Sequence, residues 1–365
     1  MNHSDKEKLE KLRVEIDTED KIIVEAVNRR TKKVLEIGKL KEKNQAPVYA
    51  PDREHSVYEK VFSLNEGPIT NKSLQAIYRE IMSASLALER KISIGYLGPE
   101  GSYTHQACIK RFGASLPFVP LQTIQDGFKS VENGECDYSI VPVENSTEGG
   151  VNDTLDMFVE SPVHICSELS LRICHNLMSL QSDIKQIKKI YSNPQVFGQC
   201  RQWILSHMPH VDLVEVSSSS RAAQMAAKDK EAGAIAGELC AQIYQIPILC
   251  RSIQDKGNNV TRFAVLAKEF PKPTGNDKTS LLVFIKDKVG VLHDTLLYFK
   301  ENNINLTRIE SRPSKRRPWE YFFYIDFIGH YNNEHTRSLL ESLKEHCELI
   351  KVLGSYPVYS ELAGE

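Results

Sequence analysis

Residues 5–43 constrain the chain most. Apolar side chains stand at Leu9, Leu12, Ile16, Ile23, Val27, Val34 and Ile37, with no proline inside and no glycine before Gly38. Steps of three, four and seven set one apolar stripe along one helix. At 1.5 Å per residue such a helix spans about 60 Å, more than a small domain can cover. A partner chain is therefore expected to bury the stripe. Projection at about 100° per residue puts Arg30 and Lys41 within about 20° of each other inside it, with Arg13 at its edge. A buried cation is costly unless an anion pairs with it. Glu19 projects onto the same stripe and is one candidate partner. An anionic ligand is the other, and is favoured because one acid balances two or three cations poorly.

The block QAPVYAPD ends this helix, and helical patterns return over 53–62 and 73–90. Residues 1–91 thus read as an all-α helical domain. From Lys91 the pattern changes: ISIGYLG, DYSIVPVEN, IKKIYS, AGAIAG and TRFAVLA read as buried strands, alternating with helical stretches such as 124–133 and 219–228. That alternation implies an α/β domain over 92–270, in two lobes. EFPKPTGNDK reads as a linker by composition. The last stretch, 278–358, orders as strand, helix, strand, strand, helix, strand, the ferredoxin-like βαββαβ arrangement.

With 365 residues the chain has room for these three units, and its formal net charge of -2 gives no electrostatic case for nucleic acid or an anionic membrane. No apolar run approaches the ~20 residues a membrane span needs. The charged, helix-patterned start MNHSDKEKLEKLRVE carries no secretory signal, so a cytoplasmic protein is expected. The eight cysteines include no C-x-x-C pair and read as free thiols in a reducing compartment. His207 and His210 flank Met208 and Pro209 and read as plain surface. No metal and no cofactor is expected.

GYLGPEGSYTHQAC places glycines at 95, 98 and 101. The spacing fits neither G-x-G-x-x-G nor a P-loop, which wants a Lys and a hydroxyl residue after its last glycine. A glycine turn entering a helix still exposes backbone N–H donors, which suit anions including carboxylates. A turn that only needs glycine's backbone freedom is the alternative at this level.

The segments L-R-V-E-I-D (12–17), N-R-R (28–30), I-G-K-L-K (37–41), P-D-R-E (51–54) and I-M-S-A-S-L-A-L-E (81–89) resemble the all-helical chorismate mutase family. The resemblance implies a domain-swapped helical dimer that rearranges chorismate to prephenate. It implies that Arg13 (from the partner chain), Arg30 and Arg53 hold the substrate carboxylates and that Lys41 bonds the breaking ether oxygen. Glu54 would meet the ring hydroxyl and Ser85 would line the site. Glu89 stands where some relatives have Gln. An ionised carboxylate would repel the ether oxygen, so a protonated Glu89 and an activity falling with rising pH are expected.

GPEGSYTHQAC, I-V-P-V-E-N-S-T-E-G (140–149), S-N-P-Q-V-F-G-Q-C (192–200) and N-V-T-R-F (259–263) resemble prephenate dehydratase, a two-lobed α/β domain of periplasmic-binding-protein-like form. That resemblance implies that Gly98, Gly101 and Ser102 shape the mouth of a dicarboxylate site. Thr261 is implied as the donor to the departing hydroxyl, flanked by Arg262 and Phe263, with Glu144, Asn145, Ser146 and Gln195 as further polar groups. Asn193 replaces a His found in many relatives, which weakens any acid–base role there.

K-V-G-V-L-H-D (288–294) and N-L-T-R-I-E-S-R-P (305–313) resemble the ACT regulatory domain. The implied effector is L-phenylalanine, beside Gly290, Val291 and Leu292, with Glu310, Ser311, Arg312 and Pro313 as the matching interface turn. Val291 stands where relatives often have Ala. Together the resemblances imply a bifunctional enzyme of phenylalanine biosynthesis, a homodimer or tetramer through its helical and ACT ends. Two alternatives stand beside it: a ligand-binding regulator without catalysis, and a dehydratase that prefers arogenate.

Overall fold

The structure is a computed structural model that describes residues 3–44, 49–285, 288–314 and 320–359. Three helices come first: α1 (His3–Lys43), α2 (Pro51–Ser63) and α3 (Asn71–Glu89). Pro51 opens α2, where its missing N–H costs nothing. Pro47, the other expected breaker, lies outside the described residues. Thr70 caps α3 by accepting from Ser73 N at 3.1 Å. Only the C-terminal part of α1 packs on α3; Gly38 is its one buried residue, while Ile16 and Ile23 are 59% and 57% exposed. The expected stripe is present and lies open along most of the helix.

The first lobe follows, with β1 (Ile94–Leu97), α4 (Tyr103–Phe112), β2 (Phe118–Leu121), α5 (Ile124–Asn133), β3 (Tyr138–Asn145), β4 (Gly149–Gly150), α6 (Asn152–Glu160) and β5 (His164–Arg172). The chain crosses once into a second lobe. There it forms β6 (Asn176–Ser179), β7 (Lys189–Ser192), α7 (Pro194–Gln199), α8 (Arg201–His207), β8 (Asp212–Glu215), α9 (Ser219–Ala226), β9 (Ala232–Ala236), α10 (Glu238–Tyr244) and β10 (Ile248–Cys250). It returns through β11 (Val260–Ala267), which pairs antiparallel with both β3 and β5. The first sheet runs β2-β1-β3-β11-β5 and the second β10-β6-β9-β7-β8. Two chain crossings therefore join two sheets, as a hinged pair of lobes requires.

The C-terminal unit is β12 (Asp277–Ile285), α11 (Val291–Glu301), β13 (Leu306–Pro313), β14 (Tyr321–Ile328), α12 (Glu334–Leu343) and β15 (Cys347–Pro357), in sheet order β13-β14-β12-β15. Residues 269–278, expected as a linker, are in part packed: Asp277 and Lys278 are buried and already belong to β12. The reason is a shared core. Val143, Leu155 and Phe158 of the first lobe pack with Leu282, Tyr324, Leu353 and Tyr356 of the last sheet. Across the same contact, Arg262 Nη1 meets Asp326 Oδ2 at 2.6 Å and Lys278 Nζ meets Glu168 Oε1 at 2.6 Å. The helical unit is anchored too, by Tyr49, whose ring lies 5.0 Å from Phe112 and 5.3 Å from Tyr138 in the first lobe's core. Among the described residues no helix is long and apolar enough to cross a membrane.

Candidate active sites

A cavity of about 190 Å³ opens where α1, α2 and α3 meet α4. Among the described residues, Arg30, Lys41, Arg53, Arg79 and Arg111 line it with two acids, Glu54 and Glu89, and Arg79 is paired outside the lining with Glu80 at 3.0 Å. Arg30 and Arg53, which no carboxylate of the lining meets, stand beside an apolar floor (Val34, Ile37, Leu86), a setting that suits a compact dianion. Arg30 Nη1 donates to Ser85 Oγ at 3.2 Å, and Ser85 Oγ donates onward to Ile81 O at 2.7 Å. Lys41 Nζ lies 3.1 Å from Glu89 Oε1, on a side chain only 3% exposed. The acid that meets this stripe's cations is thus Glu89 of α3; Glu19, the candidate from the helix projection, is exposed. A helix projection ranks the faces of one helix and cannot say which neighbour covers them. Arg13 is exposed and bonded to Glu10 at 3.1 Å, away from the cavity.

The second polar cluster sits between the lobes. Asn145 Nδ2 donates to Thr261 Oγ1 at 2.8 Å and to Asn259 Oδ1 at 2.7 Å. The orientation of that amide is fixed, because its oxygen accepts from Thr147 N at 3.0 Å. From Asn259 the chain of bonds runs to Gln199 Oε1 at 3.3 Å, to His175 Nε2 at 2.7 Å and to Tyr103 OH at 2.7 Å from His175 Nδ1. It joins β3, β11, α7, the crossing segment and α4, and so spans both lobes. Burial pulls the His175 imidazole below its ordinary range, against the Gln199 hydrogen bond that favours the charged form. Burial also pushes the Tyr103 phenol up. Both shifts favour the uncharged forms of these two side chains.

The opening glycine loop stands at one end of α4. Gly101 has φ +85° and its N–H donates to His105 Nδ1 at 3.2 Å. Its carbonyl receives Cys240 Sγ of the second lobe at 3.2 Å. A side chain there would meet Cys240 Sγ at 3.0 Å. Ser102 caps α4, accepting from His105 N at 3.2 Å and donating to Leu97 O at 2.7 Å. Ser146 Oγ accepts from Val260 N at 2.9 Å. Gln195 is exposed on α7, whose cap is Asn193.

The structure does not place Glu144 and Arg262 with Thr261. Strand alternation turns neighbours to opposite faces, so Thr261 faces Asn145 while Arg262 pairs with Glu144 at 3.3 Å and reaches Asp326 of β14. Phe263 is buried in the first lobe's core, 2% exposed. Glu310, Ser311, Arg312 and Pro313 form strand, not a turn: they are the last four residues of β13, at an edge of the sheet. Arg312 pairs with Asp156 of α6 at 3.0 Å, and a Cβ at Gly150 would run into the Glu310 carboxylate. Gly290 (φ +82°) is the N-cap of α11, which Val291 and Leu292 begin, with Val291 buried. Phe322 of β14 lies opposite both Phe284 and Arg312, so β12 and β13 run the same way and both segments lie at one end of the sheet.

Sequence reasoning missed Arg79, Arg111, Asn259, Gln199, His175 and Tyr103. Arg79 shares a helix face with Met82, Leu86 and Glu89, so projecting α3 as well would have found it. Asn259, Gln199 and Tyr103 fall inside the motifs already quoted. His175 and Arg111 carry no local signal, since each acts on residues far away in the chain.

The chain matches the family models Chorismate mutase type II over residues 12–90, Prephenate dehydratase over 94–271 and ACT domain over 279–345. It is 45% identical over 355 residues to a bifunctional chorismate mutase/prephenate dehydratase of Aquifex aeolicus, covering 96% of this chain and 98% of that one. Identity to the Pseudomonas aeruginosa protein of the same description is 40% over 360 residues, covering 97% and 99%. Among solved structures, the prephenate dehydratase of Arthrobacter aurescens in complex with L-Phe is similar, with a TM-score of 0.67 and 32% identity over 73% of this chain and 90% of that one.

Proposed function

The chain belongs to the bifunctional chorismate mutase/prephenate dehydratase family, and from that premise we propose how its residues divide the two reactions. The cationic cavity is the mutase site. The rearrangement breaks an ether C–O bond and forms a C–C bond with no proton transfer. A site helps only by holding the reactive conformer and stabilising charge on the ether oxygen. Arg30 and Arg53 take the substrate carboxylates, Ser85 aims Arg30, and Lys41 and Glu89 face the ether oxygen. Glu54 accepts from the ring hydroxyl. Arg13 belongs to the site of a second copy, whose α1 covers the open stripe; the assembly is a homodimer or tetramer in the cytoplasm.

The hinge cluster around Thr261 is the dehydratase site. There prephenate loses carbon dioxide and hydroxide in one step, and the electron pair of the broken C–C bond completes the aromatic ring. The hydroxide must collect a proton and leave as water. Because Asn145 donates to Thr261 Oγ1, the Thr261 O–H is left to point at the departing hydroxyl, which it orients and to which it relays a proton drawn from water. Gly101 and Ser102 shape the mouth, and Ser146 and Gln195 border it. Glu144 and Arg262 act behind the strand, on the ACT side. L-Phe, which the Arthrobacter relative binds, is the effector, met by Gly290, Val291 and Leu292 of one copy and the Glu310 to Pro313 strand of another.

The observation that carries this reading is the separation of the two clusters: Lys41 and Glu89 line the helical cavity, whereas Thr261 and Asn145 sit at the hinge. In the full chain, Lys41→Met should lower mutase kcat/KM by roughly a hundredfold or more and leave prephenate conversion unchanged. Thr261→Val should do the reverse. Loss of both activities in either variant, or of neither, contradicts the assignment.

A further inference from the structure

We propose that Arg111, a residue of the dehydratase lobe, completes the mutase site by holding the Glu54 carboxylate in place. The inference rests on the reading of Glu54 given above. Arg111 lies in the last turn of α4, and its guanidinium meets Glu54 fork to fork, Nη1 to Oε1 at 2.8 Å and Nη2 to Oε2 at 2.7 Å. Both side chains are 13% exposed. Two parallel bonds fix orientation as well as distance. The guanidinium is itself held from behind, Nε donating to Ser167 Oγ of β5 at 3.1 Å. Tyr49 OH adds a third donor to Glu54, at 3.2 Å from Oε2. Burial would lower the Arg111 guanidinium, and the Glu54 carboxylate more than reverses this, so it stays charged.

This geometry solves a problem of charge. Glu54 shares its cavity with Arg30, Lys41 and Arg53, the cations that the dianionic substrate needs. An unheld carboxylate would turn to one of them and cancel it. Arg111 satisfies Glu54 from outside that set. A carboxylate has about four acceptor positions; three donors leave room for one more, where a ring hydroxyl fits. Arg111 is thus a positioning residue, supplied to one domain's site by the next domain along the chain.

The test uses the full-length chain with Arg111→Met, Arg111→Lys, Glu54→Gln and the double variant Arg111→Met/Glu54→Gln. Chorismate serves as mutase substrate and prephenate as the separate probe of the dehydratase. Arg111→Met should raise KM for chorismate roughly tenfold, with mutase kcat and prephenate kcat/KM within about twofold. Arg111→Lys, which keeps the charge and loses the fork, should fall between Met and wild type. The double variant should be no worse than Glu54→Gln, because the two residues act as one unit. An unchanged KM in Arg111→Met, additive effects, or equal loss of both activities overturns the proposal. If Arg111→Met fails to fold, a wild-type KM in Arg111→Lys overturns it instead. Wild-type mutase kinetics in Glu54→Gln would refute the reading of Glu54 itself, and the proposal with it.

Discussion

Glu89 and Gly38 occupy one volume. A methyl group at Gly38 would come within 2.5 Å of Glu89 Cγ, so glycine in the last third of α1 is what lets this side chain approach Lys41. Oε1 of Glu89 is buried, and Lys41 stands 3.1 Å from it off the line of a hydrogen bond. Gly38→Ala should therefore displace the Glu89 side chain and lower mutase kcat/KM, while prephenate conversion stays at the wild-type level. An unchanged mutase kcat/KM in that variant would refute a role for this contact. At this scale the sequence was informative about residue type and less so about partner. Arg30 and Lys41 stood out as cations on an apolar face, yet their neighbours came from α3, which no projection of α1 could supply. Thr261 and Arg262 are adjacent in the motif and on opposite sides of the sheet in space.

Elements with strong periodicity were readable: α1, α5 and the βαββαβ order of the C-terminal unit all appear as expected. Strands without a continuous apolar run were not, although the short apolar strands β1, β7 and β9 were. β2 is FVPL with a proline, β8 is DLVE with three exposed residues, and β5 carries Glu168 in its interior. Each is a strand because its neighbours pair with it, a long-range cause that a local window lacks. The same holds for the crossing segment, where His175 is 1% exposed between β5 and β6. Its folded value is lowered by burial. Below the ordinary His range the unfolded chain binds the proton and the folded chain does not, so stability is full above that range and falls with acidification. His105 and His164, also lowered by burial, act in the same sense. Between about pH 7 and pH 5.5, Tm should drop further in wild type than in His175→Gln. Equal drops would show that His175 contributes nothing to the pH dependence.

The whole molecule is three units wired by buried contacts. α4 runs from the glycine loop beside the second lobe to Arg111 and Phe112 in the helical cavity, about 15 Å for ten residues. The last sheet shares a core with the first lobe, and Arg262, next to Thr261 in β11, is held by Asp326 of β14. Burial raises the Asp326 carboxyl, and Arg262 and Lys278 more than offset this, keeping it below the usual range. The ACT sheet thus has a short covalent and ionic connection to the cluster around Thr261. Composition and motif order made the three units legible; the contacts that join them were not, because each pairs residues from different motifs. One chain carries two consecutive reactions. The most direct measurement supplies the purified chain with chorismate alone and follows prephenate and phenylpyruvate over time. Prephenate should rise first and then give way to phenylpyruvate, as both sites work in sequence. Prephenate that accumulates with no phenylpyruvate formed would show that the second reaction does not follow the first on this chain.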